Sequence, residues 1–222
     1  MRPKALFVWG GWDGHTPKQS VDLFAPWLEL QGYEVMISSS LDTYQDKVLM
    51  ASLDLIVPVW TMGTIERDQE RGLLEAVASG SGIAGWHGCM IDSFRQNVEY
   101  QWMTGGQWVA HPGGCIPSYR VQIEDHEHEI TREIGDFELR HTEQYYMHVD
   151  PLNHVLATTR FSGDHDDPSL YGAGTMPFAW TKRWGQGRVF VAAWGHTIND
   201  FEVPEAREIV QRGMLWASRE KK

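Results

Sequence analysis

Four histidines in this chain stand just beyond short apolar runs, each with glycine close by. They are His15 in FVWGGWDGH (7–15), His87 in IAGWHG (83–88), His111 in GGQWVAHPGG (105–114) and His196 in VFVAAWGH (189–196). Neutral imidazole is the commonest metal ligand, and its ordinary pKa suits it to proton transfer near neutrality. A short apolar run closed by glycine reads as the carboxyl end of a buried parallel strand. In an open α/β sheet, ligands bind outside those ends. Histidines delivered there by three strands, and by one Gly-rich loop, would converge on a single crevice. The chemistry open to them is metal binding or acid–base catalysis. His15, His87 and His196 are the candidate metal ligands, and His87 and His196 are also candidate catalytic groups. Their spacing matches no compact zinc motif such as H-E-x-x-H. The residue types carry this expectation; no motif does.

Glu143 and Tyr145, in LRHTEQYYMHVDP (139–151), add a carboxylate and a phenol. Two residues apart on an extended chain, they face the same side. Such a pair can orient a sugar hydroxyl or serve as acid and base, although strand packing would use Tyr145 and Tyr146 equally well. The chain also has eleven tryptophans. Trp12, Trp86 and Trp194 lie beside predicted strand ends, where an aromatic face can stack on the apolar face of a sugar. With His15 and His111 they are the candidate substrate contacts, although filling a core is the commoner use of large aromatics.

Cys89, in GWHGCM (85–90), follows the fourth predicted strand. A thiol at a strand-to-helix turn invites a nucleophile reading, with a nearby histidine and the helix N-terminus to activate it. Free cysteine more often behaves as a small buried hydrophobe. His126 and His128 in EDHEHEI (124–130), and His165 in DHDD (164–167), belong to charged segments that read as solvated. The second lacks the glycine and distal glutamate of an EF-hand loop. There is no Walker A sequence and no GxGxxG, so no nucleotide cofactor is expected.

The elements that must position these residues alternate between strand and helix in the first half. Strands are predicted over 4–9, 33–38, 53–60 and 83–87. Thr16 and Pro17 read as the N-cap and first residue of a helix closed by Gly32, with Pro26 expected to kink it or shift its start. A short helix is predicted over 42–51, and Thr64 can cap another over 65–79. Pro58 argues against a wholly central third strand. Four βα units in about 90 residues indicate a doubly wound, mostly parallel α/β sheet in one domain. Residues 100–114 and 161–174 read as Gly-rich loops. Strands are predicted over 119–123 and 154–160. A hairpin is predicted from 176–183 and 188–194, leading to His196, and a final helix begins near Pro204.

Composition narrows the partners. The chain has 222 residues, a net charge of −11 and two cysteines. That charge disfavours nucleic acid and anionic membranes, which call for basic patches. Two cysteines are too few for a disulfide framework. With no apolar run of membrane-spanning length and no signal-peptide pattern, a cytoplasmic location is expected. A homo-oligomer is compatible with this composition but not specified by it.

In these same stretches the chain resembles the ThuA-like family, named for trehalose utilisation. The resemblance runs through GGWDGH, GIAGWHG and GGQWVAHPGG. It continues in HEITREIGDFEL (128–139), the E-x-Y of Glu143 and Tyr145, and PFAWTKRWGQGRVFVAAWGH (177–196). It implies a flavodoxin-like fold of the class I glutamine amidotransferase kind, with His87 at the elbow position where an amidotransferase has its cysteine. His196 then corresponds to the triad histidine, and Thr142 stands where many members have aspartate. The resemblance further implies disaccharide and keto-sugar catabolism, with a zinc ion in some members. The expected function is therefore a sugar-catabolism enzyme acting on a keto-sugar such as a 3-keto-glycoside through His/Glu acid–base chemistry, with a divalent metal admitted. The alternatives are a sugar-binding or regulatory module without catalysis, and a Cys89-dependent hydrolase or amidotransferase.

Overall fold

β1 (Lys4–Gly11) carries four consecutive buried residues, Ala5 to Val8, and is followed by α1 (Pro17–Leu30) and β2 (Glu34–Ser38). Next come α2 (Lys47–Ser52), β3 (Leu55–Thr61), α3 (Arg67–Ala78), β4 (Gly82–Trp86), α4 (His87–Ile91) and α5 (Val98–Thr104). The second half holds β5 (Gly106–Ala110), β6 (Cys115–Ile123), β7 (Phe137–Glu143), β8 (Tyr146–Val149) and β9 (His154–Phe161). β10 (Gly174–Trp184), β11 (Gly187–Ala192) and α6 (Pro204–Ala217) complete it. The computed structural model describes residues 2–164 and 173–219. His165 and most of the predicted 161–174 loop lie outside the described residues.

Nine of the described strands form one sheet in the order β2-β1-β3-β4-β11-β10-β9-β6-β7. The first five are parallel, and each later neighbour is antiparallel. Two reversals restore direction, so β9 and β7 run with the parallel five. Carboxyl ends therefore gather at one edge. β5 and β8 make a separate two-stranded ribbon. α1 packs on β1, β2 and β3, while α6 packs on β3, β4 and β11. This is the doubly wound α/β domain that the strand–helix alternation predicts.

Several local expectations are corrected. Pro17 opens α1, but Thr16 is left-handed (φ +48°), and its hydroxyl accepts the N–H of Ile198 rather than capping α1. Pro26 sits on the exposed side of α1, where water can take the carbonyl its missing N–H frees. α1 therefore runs on to Leu30. α3 begins after Glu66, not Thr64, because the Gln69 side chain accepts the Glu66 N–H in a capping-box arm. β3 is central despite Pro58, since its ladder with β4 covers only Leu55 and Ile56.

The predicted 100–114 loop is mostly ordered structure. α5 buries Tyr100 and Met103 and stops at left-handed Gly105, and β5 then pairs with β8. Only 111–114 remains irregular. β4 ends at Trp86, one residue before the predicted end. β11 ends at Ala192, so Trp194 and His196 lie in the turn beyond it.

Candidate active site

His15 closes the 3₁₀ turn Asp13–His15 after β1, His87 begins α4 directly after β4, and His196 follows β11. Glu143 ends β7. One donor atom from each of these four side chains lies within 4.8 Å of the other three. Ring centroids are 4.8 Å apart for His15 and His87, 5.0 Å for His15 and His196, and 5.4 Å for His87 and His196. The arrival of Glu143 needs a fold-level cause. β7 is five ladders from β4, about 24 Å on a flat sheet. Yet Glu143 Oε2 is 3.2 Å from His87 Nε2, so the antiparallel half curls back over the strand ends.

His87 holds a left-handed backbone (φ +44°), a strained conformation for a branched-free but bulky side chain at a sharp strand-to-helix elbow. Its Nδ1 is 2.9 Å from the Ala193 carbonyl, which can only accept, so Nδ1 carries a hydrogen. Nε2 then faces the Glu143 carboxylate. A bare lone pair there would repel it, so a proton or a cation must stand between them.

Glu143 Oε2 also lies 3.3 Å from His196 Nδ1, and Oε1 lies 3.6 Å from His111 Nε2. Burial opposes ionisation of Glu143, but the facing imidazoles of His196 and His87 outweigh it and hold the carboxyl well below its ordinary range. His15 is only 4% exposed, and its buried Nδ1 has no hydrogen-bond partner among the described residues. Burial, then repulsion from His87 and His196, pushes its pKa down to about 2. His15 is thus neutral, with a free donor atom. Gly88 seats it, since a Cβ there would stand 2.7 Å from His15 Nδ1 and Cε1.

Three imidazoles and a carboxylate fit a divalent cation by residue type. Donors on one ion at about 2.1 Å can be no more than about 4.2 Å apart, so the widest separation must close by roughly 0.6 Å. The contacts of 3.2 and 3.3 Å already fall inside that limit.

Tyr145 lies in the connection between β7 and β8, with its ring stacked on His87 at 3.8 Å. Burial, with Glu143 adding to it, pushes its phenol well above the ordinary range. Tyr145 can donate a hydrogen bond there but is unsuited to accept a proton as phenolate. Trp12 is 47% exposed and stands edge-on to His15 at 4.8 Å, at the mouth of the crevice. His111 lies at the rim beside Trp108, which also carries the Arg95 guanidinium over its ring at 4.2 Å.

Two predicted substrate contacts are corrected. Trp86 and Trp194 are both 0% exposed. Trp86 packs on Phe24 and Phe201; Trp194 packs on Phe137 and Phe178 and donates its N–H to the Ala206 carbonyl. At the elbow the chain reverses, so Trp86 enters the core while the next residue, His87, meets the crevice. The Cys89 alternative is also corrected. Its thiol is buried in α4 beside Thr61, and burial pushes its pKa up to about 12. A nucleophile must be thiolate. Cys89→Ser is expected to leave turnover within a few-fold of wild type, against the orders of magnitude lost with a true nucleophile; a covalent adduct at Cys89 in a mass spectrum would contradict this.

Away from the site, His154 pairs with Asp125 at 2.8 Å, and His128 lies beside His154. Sequence reasoning missed Gly88 as the seat of His15, Thr16 as a tie to the His196 loop, and Asp200. Glycine after the elbow histidine was the only local signal for any of them.

The parallel strand ends, the strained elbow and the His/Glu cluster define a doubly wound α/β domain with a polar crevice at its sheet edge. The trehalose utilisation family, ThuA, matches residues 4–217, and the chain belongs to it. A ThuA-like protein from Bacteroides uniformis superposes with a TM-score of 0.78 at 16% identity, over 97% of this chain and 91% of that one. One from Parabacteroides merdae gives 0.77 at 17%, over 100% and 93%. A cytoplasmic protein of Salmonella typhimurium gives 0.66 at 12%, over 97% and 100%. Identities this low speak to fold alone. No curated protein matches the chain in sequence. Among the described residues, no helix is long and apolar enough to cross a membrane.

Proposed function

We propose that this member of a sugar-utilisation family is an enzyme that moves a proton beside the carbonyl of a keto-sugar, a 3-keto-glycoside, at a divalent-metal centre. The observation that carries the reading is the cluster of His15, His87, His196 and Glu143 at the strand ends, whose donor atoms lie within 4.8 Å of one another. His15, His87 and His196 would hold the ion, and imidazoles with a carboxylate favour zinc. When bound, such an ion supplies a Lewis acid for a carbonyl oxygen.

The remaining steps belong to this chain's residues. A carbonyl at C3 acidifies the proton on C2. Glu143 is the carboxylate placed to accept that proton; the imidazoles that hold it ionised also lower its basicity, so the transfer needs substrate to displace one of those partners. Its second oxygen faces His111, which is part exposed and can pass the proton to solvent. Return of the proton to C2 gives exchange or epimerisation; if instead the C1–O bond breaks, a C1=C2 double bond forms and the departing oxygen takes the proton and leaves as an alcohol, which is elimination. Tyr145 keeps the His87 ring in plane by stacking, and Trp12 offers an exposed face to the sugar.

Protein purified without chelator or nickel resin is expected to carry about one divalent ion per chain, or to take up Zn²⁺ in that ratio. His87→Ala should abolish the uptake. Gly88→Ala, which drives a methyl into His15, should weaken Zn²⁺ binding by about 10-fold or more in a competition titration. Wild-type protein with no bound metal and no Zn²⁺ uptake would overturn the metal assignment.

A further inference from the structure

We infer that Asp200 is a positioning residue, one carboxylate oxygen of which sets His196 against Glu143; the inference rests on reading those two as working groups of the site. Asp200 lies in the 3₁₀ turn Ile198–Glu202 and is 4% exposed. Its Oδ2 accepts three hydrogen bonds, each 2.9 Å long: from the Gly195 N–H, the His196 N–H and the Thr142 hydroxyl. Gly195 is left-handed (φ +101°), which aims two successive N–H groups at one oxygen, a concave anion seat.

Thr142 immediately precedes Glu143. One oxygen therefore fixes the chain at His196 and at the residue before Glu143, and the His196 and Glu143 side chains meet at 3.3 Å. Those residues come from strands that are not neighbours, because β10, β9 and β6 separate β11 from β7. No other side-chain hydrogen bond joins the β7 end to the turn after β11 among the described residues, apart from the His196–Glu143 contact itself. A carboxylate oxygen can accept several hydrogen bonds at once, which suits a link that must hold three donors from two separate segments in register. The carboxylate is itself anchored. Phe201, the next residue, packs edge-on against Trp86 and Phe24 in the core beneath the elbow. The buried Trp86 thus supports His87 through the chain and His196 through Phe201 and Asp200.

The test uses full-length Asp200→Ala, Asp200→Asn and Thr142→Val, with two readouts. One is Zn²⁺ affinity by competition titration; the other is the ¹⁵N shifts of the His196 ring in metal-free protein at one fixed pH. Asp200→Ala is expected to lower Zn²⁺ affinity by about 10- to 100-fold, as loss of a group supporting a ligand does, and to move the His196 shifts. Asp200→Asn keeps one acceptor oxygen and should do both to a smaller extent. Thr142→Val removes only the β7 arm and should act in the same direction. Wild-type affinity and unmoved shifts in Asp200→Ala, with only a lower melting temperature, would overturn the inference. If wild-type protein binds no Zn²⁺, the metal reading fails and the ring shifts alone decide: moved shifts support the role of Asp200, and unmoved shifts overturn it. If Asp200→Ala does not fold, Thr142→Val decides by the same criteria.

Discussion

Glu143→Gln is expected to slow proton exchange at C2 of a 3-keto-glycoside by on the order of 10²-fold or more, the usual contribution of a positioned acid or base. The amide keeps the shape of the side chain but removes the charge that His87, His196 and His111 face at 3.2, 3.3 and 3.6 Å. His196→Ala should fall by a similar factor, because it removes one of those partners and one candidate metal ligand together. The two effects should be strongly non-additive, since both residues act in one constellation. Exchange rates near wild type in Glu143→Gln would remove Glu143 from the chemistry, whatever its place in the cluster.

A second large effect concerns acid stability of the metal-free protein. The folded state holds His15 neutral with a pKa of about 2, whereas an unfolded histidine titrates near about 6.5. The unfolded chain therefore gains a proton first as the pH falls. The contribution of His15 is complete above about pH 6.5 and is lost below it, by about 1.4 kcal/mol per pH unit, until the folded-state value is reached. Between pH 7 and pH 5 the loss is about 2 kcal/mol. Glu143 acts in the same sense at lower pH. Its carboxyl is held low in the fold, so its contribution is present above the unfolded value and declines as the pH falls below about 4.3. Urea unfolding of chelator-treated protein should therefore show a falling midpoint from pH 7 to pH 5, and His15→Ala should flatten that slope. An equal slope in wild type and variant would mean that burial does not hold His15 neutral.

Much of the parallel half was legible in the chain because its strands are short apolar runs, with glycine at or just after the ends of β1, β4 and β11. That pattern is local, and the histidines after β1, β4 and β11 inherit their placement from it. The tryptophans beside them were harder to place. Trp86 and His87 are adjacent and share the same glycines, but the elbow at φ +44° sends one into the core and the other into the crevice. Nothing in residue type foretells that reversal. The 100–114 segment was misread because α5 and β5 have only seven and five residues, too few for a period to emerge among glycines and tryptophans. Glu143 was visible as a candidate only by its type. Its arrival beside His87 depends on the antiparallel half curling across five ladders, and Asp200 becomes meaningful only once that curl brings Thr142 beside it.

The central claim is proton transfer next to a sugar ketone. It is tested most directly by incubating wild-type protein, with Zn²⁺ supplied, and a 3-keto-glycoside in deuterated water, then locating deuterium by NMR and mass spectrometry. The expected result is deuterium at C2 of recovered substrate or product, at a rate that tracks protein concentration. A sugar-binding module would retain the ligand and exchange nothing. Absence of both exchange and turnover across a panel of keto-sugars, with metal restored, would contradict the account.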